Sequence, residues 1–490
     1  MSTTVVFVHG WSVTNLDTYG ELPLRLVAEA GRHGMEIKVQ EIFLGRYISF
    51  NDEVELVDIA RAFDMAVKEQ LAGVERFVCI THSTGGPVIR DWWSRYYKNS
   101  RPPLSHLIML APANFGSALA QLGKGKLSRI KAWFDGVEPG QGVLNWLAIG
   151  SAQAWKLNRE WIYSDGSQIG PDGVFPFVLT GQSIDRKLYD HLNSYTGELG
   201  SDGVVRASTA NLNATHIRLE QESVVTGNTV SISSRLKEAG YKESPAVPFR
   251  IVKGKSHSGP RMGIMKSVEK EPDGNGQETV NAIFDCLKVK DRGDYQAVIE
   301  KFKVETEQVQ QDELIEPKEG FFGRTFIHDR FSQVIFRLTD TEGNAVRDYD
   351  LVFTAGPDNS PDQLPPGFSI DRQQNKNSPD TVTYYFNYDV MNGAPANPER
   401  GEIKSALQMG LQIWPRPDRG FVRYVTCHIE ASADMLDKVL KPNSTTLIDI
   451  YLQRVVSKEV FRLEKLPGNA MPSEKGGDFS DTEAGDKIIA

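Results

Sequence analysis

A chain of 490 residues is too long for one ordinary core, and at roughly 150 residues per domain it reads as two or three domains. Hydrophobic residues make up 40% and charged residues 24%, the balance of a soluble globular protein. The net charge of −9 argues against nucleic acid as the main partner, because phosphate binding needs a basic patch; a membrane reached through apolar side chains is not excluded. The three cysteines, Cys79, Cys286 and Cys427, lie far apart without a CxxC pair, so neither a disulfide framework nor a zinc site follows. The first residues carry no basic segment and no cleavage pattern, so no secretory signal is expected. No apolar run reaches the roughly 18 residues of a membrane span, so any membrane contact is expected to be peripheral.

Residues 1–290 alternate between two periodicities. Val5–Val8, Ile37–Phe43, Phe77–Ile80, Leu107–Leu110, Phe177–Leu179 and Phe249–Val252 read as short strands. Between them, Leu22–Ala30, Val54–Leu71 and Gly86–Tyr97 have helical spacing. Short apolar strands separated by helices predict a parallel sheet covered by helices on both faces. Residues 117–170 break the rhythm and read as a cap or lid insertion. They hold Trp133, Trp146, Trp155 and Trp161, half of the eight tryptophans, with Lys124, Lys126, Arg129 and Lys131 nearby. Tryptophan favours membrane interfaces but also fills cores, and both readings stay open. Residues 291–318 are charged and helix-prone and read as a linker helix. Beyond them Gln333–Leu338, Leu351–Ala355, Thr381–Tyr388, Phe421–Ile429 and Thr445–Val455 are strand-like, with a turn at Asp340–Asn344. Strands without long helices between them predict a β-sandwich over 319–465. Residues 466–490 are rich in Gly, Ser, Asp and Glu and are expected to be a flexible tail.

The chemistry centres on Thr81-His82-Ser83-Thr84-Gly85-Gly86-Pro87. A strand enters, a serine sits at the apex of a sharp turn, two glycines follow, and Pro87 opens a helix where its missing N–H costs nothing. This is a nucleophile elbow, except that Thr81 stands where a glycine is usual. Ser83 needs a base. The downstream histidines are His106, His191, His216, His257, His328 and His428. His257 follows a strand on a flexible loop, which suits a base that reaches over the sheet edge. Two carboxylates compete as the group orienting it: Asp202, in Gly200-Ser201-Asp202-Gly203-Val204-Val205, is favoured, and Asp185, just past the strand Phe177–Leu179, is the alternative. The backbone N–H groups of Thr84 and Trp11 are expected to hold the oxyanion. His9 and His82 read as structural, His9 through a hydrogen bond. Together these features predict an α/β-hydrolase fold with a cap insertion, followed by a β-sandwich.

Four segments carry a resemblance: His9-Gly10-Trp11-Ser12-Val13-Thr14, Thr18-Tyr19-Gly20-Glu21-Leu22-Pro23, Phe43-Leu44-Gly45-Arg46-Tyr47-Ile48-Ser49-Phe50 and Thr81–Pro87. They are similar to the PlaB-type bacterial phospholipases, and the similarity spans the whole chain. The resemblance implies phospholipase A and lysophospholipase activity, with Ser83, Asp202 and His257 as the catalytic triad. It also implies peripheral association with a bacterial membrane, the outer membrane included, a homotetramer, and NAD(H) as an oligomer-stabilising ligand. No GxGxxG fingerprint is present, so a dinucleotide site would not be of Rossmann type. The chemistry itself calls for no metal or cofactor. Two other functions remain open on sequence: a neutral-lipid lipase or acyltransferase with the same triad, and a non-catalytic membrane or assembly scaffold.

Overall fold

A computed structural model describes residues 2–9, 18–49, 51–122, 140–185, 197–226, 229–272, 274–316 and 326–457. The expectations for Trp11, Trp133, His191 and the tail 466–490 fall outside the described residues. Among the described residues, eight strands precede residue 252: β1 (Thr3–His9), β2 (Ile37–Phe43), β3 (Phe77–His82), β4 (Leu104–Leu110), β5 (Phe175–Thr180), β6 (Ala214–Thr226), β7 (Thr229–Glu243) and β8 (Phe249–Ile251). Six of them form one sheet in the order β2-β1-β3-β4-β5-β8, parallel throughout. Alternate residues of a strand face opposite sides, and here both sides are covered. Val6, Val8, Cys79, Leu107 and Met109 enter one core, with α2 (Leu56–Gln70) and α3 (Gly85–Tyr96). Val5, Phe7, Ile80, Ile108 and Leu110 enter the other, with α1 (Leu22–Ala30) and the helix Gln277–Leu287. Double burial is why these strands read as unbroken apolar runs.

The helix Arg292–Asp312 does not bridge two domains as a bare linker. Tyr295 and Phe302 lie in the second of these cores, the Tyr295 hydroxyl donates to Pro176 O at 2.7 Å, and Ile251 N–H donates to Thr306 Oγ1 at 3.1 Å. The helix therefore covers β8 at the sheet edge.

The second sheet contains β9 (Phe331–Asp340), β10 (Tyr349–Thr354), β11 (Ser369–Gln374), β12 (Thr381–Asn387), β13 (Met409–Pro415), β14 (Cys427–Ser432) and β15 (Thr445–Leu452). Its order is β10-β13-β14-β7-β6-β15-β9-β12-β11, so the hairpin β6–β7 inserts into the middle. The sheet is mixed: β15 runs parallel to both β6 and β9. It folds over into two layers. Phe353 of β10 packs on Tyr384 and Phe386 of β12 at 4.7 and 4.9 Å between ring centres. The predicted strand Phe421–Ile429 is two: Val422–Tyr424 pairs with Arg454–Val456 in a separate ribbon, and Cys427–Ser432 joins the main sheet.

The described parts of the insertion, 117–122 and 140–170, tie the two sheets together. Trp155, Ile162 and Phe115 share a small core with Ala214, Ile335 and Leu447. Trp146 and Trp155 are buried, at 5% and 3% exposure, so these two fill cores and do not reach a membrane interface.

Candidate active site

β3 ends at His82 and α3 begins at Gly85, so Ser83 and Thr84 make the whole turn. Ser83 sits at φ 53°, the left-handed region, which costs a non-glycine residue roughly 1–2 kcal/mol. Its neighbours hold it there: Ser83 N–H donates to Leu110 O at 3.0 Å, and Ser83 O accepts from Gly86 N–H at 3.2 Å and Ala113 N–H at 3.3 Å. A side chain at position 86 would place its Cβ 2.7 Å from Pro112 Cβ, and one at position 85 would place it 3.1 Å from Thr81 Cβ. Thr81 is thus accommodated by the bare backbone of Gly85.

His257 is delivered by the loop after β8. That loop crosses the end of β5, where a Cβ on Gly181 would lie only 1.9 Å from Lys255 O. Ser256 N–H donates to Met262 O at 3.0 Å and Ile264 N–H to Ser256 O at 2.9 Å, closing the loop on itself. The imidazole is fully enclosed. Its Nε2 lies 3.1 Å from Ser83 Oγ and its Nδ1 lies 2.9 Å from Asp202 Oδ2. Asp202 is also fully buried. Its Oδ1 accepts from the N–H groups of Val204 at 3.0 Å and Val205 at 2.8 Å, and its backbone carbonyl accepts from His257 N–H at 2.9 Å.

The two candidate acids are thereby separated. Asp202 reaches the imidazole, while Asp185 accepts from Arg261 Nη2 at 2.9 Å. Since Arg261 belongs to the closed loop that carries His257, Asp185 braces that loop from outside. Of the other histidines, His216 lies on the second sheet, 2.9 Å from Asp449 and 3.0 Å from the Tyr163 hydroxyl. His106 donates to Val289 O at 2.9 Å, and burial pushes its imidazole down to about 4.

His82 has a role the sequence did not signal. Its Nε2–H donates to His257 O at 3.0 Å, and its ring lies 4.6 Å from the His257 ring. Burial and the facing His257 hold its pKa well below the usual histidine value, so it remains a neutral donor. His9 is structural, as expected, but through packing: its ring stacks on Phe43 at 4.4 Å and meets Tyr19 edge-on at 4.9 Å. Among the described residues neither ring nitrogen has a hydrogen-bond partner, with Glu41 Oε1 lying 3.4 Å from Nε2, and burial lowers its pKa to about 4. Among the described residues nothing accepts from the Thr84 N–H, which leaves a donor at the start of α3 beside Ser83. Trp11, expected to supply the second donor, lies outside the described residues.

A parallel sheet with helices on both faces, a serine on a strained strand-to-helix turn and a histidine arriving after the last strand define an α/β hydrolase. Two solved structures of phospholipase PlaB from Legionella pneumophila match almost end to end. One is 43% identical, with a TM-score of 0.82 over 96% of this chain and 97% of that one. The other, in complex with thio-NAD, is 41% identical, with a TM-score of 0.81 over 97% and 98%. No protein-family model matches the chain, and neither does any curated protein. The chain belongs to the PlaB phospholipase family and is a hydrolase acting on lipid esters. Among the described residues no helix is long and apolar enough to cross a membrane.

Proposed function

We propose that this chain is a phospholipase A and lysophospholipase working through Ser83, His257 and Asp202. The observation that carries the reading is the continuous contact from Ser83 Oγ to His257 Nε2 at 3.1 Å and from His257 Nδ1 to Asp202 Oδ2 at 2.9 Å, in a chain this similar to a phospholipase. Ser83 Oγ attacks the acyl carbonyl as His257 Nε2 takes its proton. Asp202 keeps the Nδ1 proton in place and stabilises the imidazolium. The Thr84 N–H, with that of Trp11, receives the developing oxyanion. His257 then returns the proton to the departing alcohol, which is a lysophospholipid or a glycerophospho head. Water, deprotonated by His257, attacks the acyl-enzyme and releases the fatty acid.

Peripheral membrane contact and a homotetramer belong to the same proposal and rest on the sequence resemblance alone. The thio-NAD complex of the related phospholipase supports NAD(H) as a ligand of this chain outside the chemistry; with no GxGxxG fingerprint in the sequence its site would not be of Rossmann type, and no step above uses it. The test is lipid-product analysis of the purified protein on phosphatidylcholine, lysophosphatidylcholine and triglyceride. Free fatty acid from the first two is expected, and Ser83→Ala should lower the rate by about 10⁶-fold. Preference for triglyceride would favour a neutral-lipid lipase, and a Ser83→Ala loss of only a few-fold would sink the assignment.

A further inference from the structure

The loop that carries Asp202 leans on the second sheet through one buried guanidinium. Arg206 stands four residues past Asp202 and is 2% exposed. Its Nε and Nη2 donate to the two carboxylate oxygens of Glu198 at 2.8 and 2.9 Å. Its Nη2 also reaches Asp371 Oδ2 on β11 at 2.5 Å, and its Nη1 reaches Gln333 Oε1 on β9 at 3.1 Å. The guanidinium lies 4.1 Å above the Tyr385 ring on β12. Burial alone would lower the Arg206 pKa; the Glu198 and Asp371 carboxylates outweigh it and raise the value, so the charge is kept.

The backbone between Glu198 and Arg206 is pinned to the same surface. Tyr385 OH donates to Leu199 O at 3.1 Å. Gly200, at φ 72°, lies so close to the second sheet that a Cβ would sit 2.3 Å from the Phe331 ring and 2.5 Å from Tyr385 Oη. Ser201 bridges to Arg206 across the loop, and Ala207 N–H donates to Gly200 O at 2.9 Å. Asp202 stands inside this closed turn with no side-chain freedom of its own: one oxygen is fixed by two backbone N–H groups and the other faces His257.

We propose that Arg206, clamped by Glu198 with Asp371 and Tyr385 of the second sheet, is a positioning residue that sets the place of Asp202, so that the second sheet is part of the active-site framework. This rests on the Ser83–His257–Asp202 reading. Asp371 and Tyr385 touch neither Ser83 nor His257 and act only through the loop. A displacement of about 1 Å at a catalytic group can cost on the order of 100-fold in rate.

The test uses the full chain with Asp371→Ala, Asp371→Glu and Tyr385→Phe, and with Ser83→Ala as reference. Turnover of lysophosphatidylcholine gives kcat and KM, and thermal unfolding reports the fold. Asp371→Ala is expected to lower kcat by about 10- to 100-fold with KM unchanged. Asp371→Glu is expected to recover most of that loss. Tyr385→Phe, which keeps the ring and removes only the bond to Leu199 O, should show a smaller loss of the same kind. If Asp371→Ala does not fold, Tyr385→Phe decides. Folded variants whose kcat stays within about twofold of the parent, beside an inactive Ser83→Ala, overturn the clamp and leave the triad standing. Retained turnover in Ser83→Ala removes the triad reading, and the proposal with it.

Discussion

Asp202→Asn tests the candidate triad at its most constrained member. The substitution keeps the shape of the side chain, but an amide has one acceptor and one donor group where the carboxylate has two acceptors. The Oδ1 position faces the N–H groups of Val204 and Val205, so the amide oxygen must stay there. The opposite flip would leave two buried N–H groups facing an NH₂, at a cost of about 1–3 kcal/mol each. The amide NH₂ is therefore directed at His257 Nδ1, 2.9 Å away in the parent. Nδ1 must then accept, and the ring proton moves to Nε2, the atom that faces Ser83 Oγ. The base is blocked by its own proton. In triads of this geometry the loss in kcat is about 10⁴-fold, or about 5 kcal/mol of transition-state stabilisation. The assay is kcat on lysophosphatidylcholine, with the thermal midpoint as a check on the fold. A folded Asp202→Asn protein that loses less than about tenfold would refute the assignment of Asp202 as the orienting acid.

Two further outcomes follow from the same contacts. Asp185→Asn breaks a pair with the half-exposed Arg261, of a kind worth up to about 1 kcal/mol, so kcat is expected to stay within about fivefold of the parent; a loss approaching that of Asp202→Asn would reverse the choice between the two acids. For pH, His9 and His106 are held near 4 by burial, against 6.5 unfolded. Below 6.5 the unfolded chain takes up protons that the folded one refuses, so each contribution is whole above about pH 6.5 and is lost towards pH 4, by up to about 3 kcal/mol each. Urea midpoints should therefore fall over that window, and less steeply in His106→Gln; an equal midpoint at pH 7 and pH 5 contradicts the assignment.

What the sequence made legible was what neighbouring residues decide among themselves. Val5–Val8, Phe77–Ile80 and Leu107–Leu110 are apolar on both faces and lie in strands where they were expected. The elbow at Ser83 is a local turn and was equally readable. The hairpin β6–β7 was missed because it carries Arg218, Glu220, Glu222, Lys237 and Glu238 and shows no apolar run. Its neighbour β15 arrives more than two hundred residues later. The helix Arg292–Asp312 reads as a linker on sequence because its buried apolar residues Tyr295, Phe302 and Val309 recur only every seventh position, a seam too narrow to stand out among charges. On sequence Asp202 is favoured over Asp185 without any contact to decide it; the turn fixed by Val204 and Val205 and the pairing of Asp185 with Arg261 supply those contacts.

These differences in legibility reflect how far each group is from what positions it. Ser83 is held largely by its own turn and the adjoining end of β4. His257 depends on a loop that closes over residues 256–264 and on a glycine at 181. Asp202 depends on Arg206, whose partners Gln333 and Asp371 lie 127 and 165 residues further along. A boundary drawn at residue 290 keeps the serine, the histidine and the acid on one side. It nevertheless cuts away the surface on which the acid loop rests and the helix that covers β8. The residues of the proposed triad and the residues that hold them in place therefore divide the chain differently. A boundary read from strand and helix periodicity finds only the first division, because periodicity reports which face a residue buries and not which distant strand buries it.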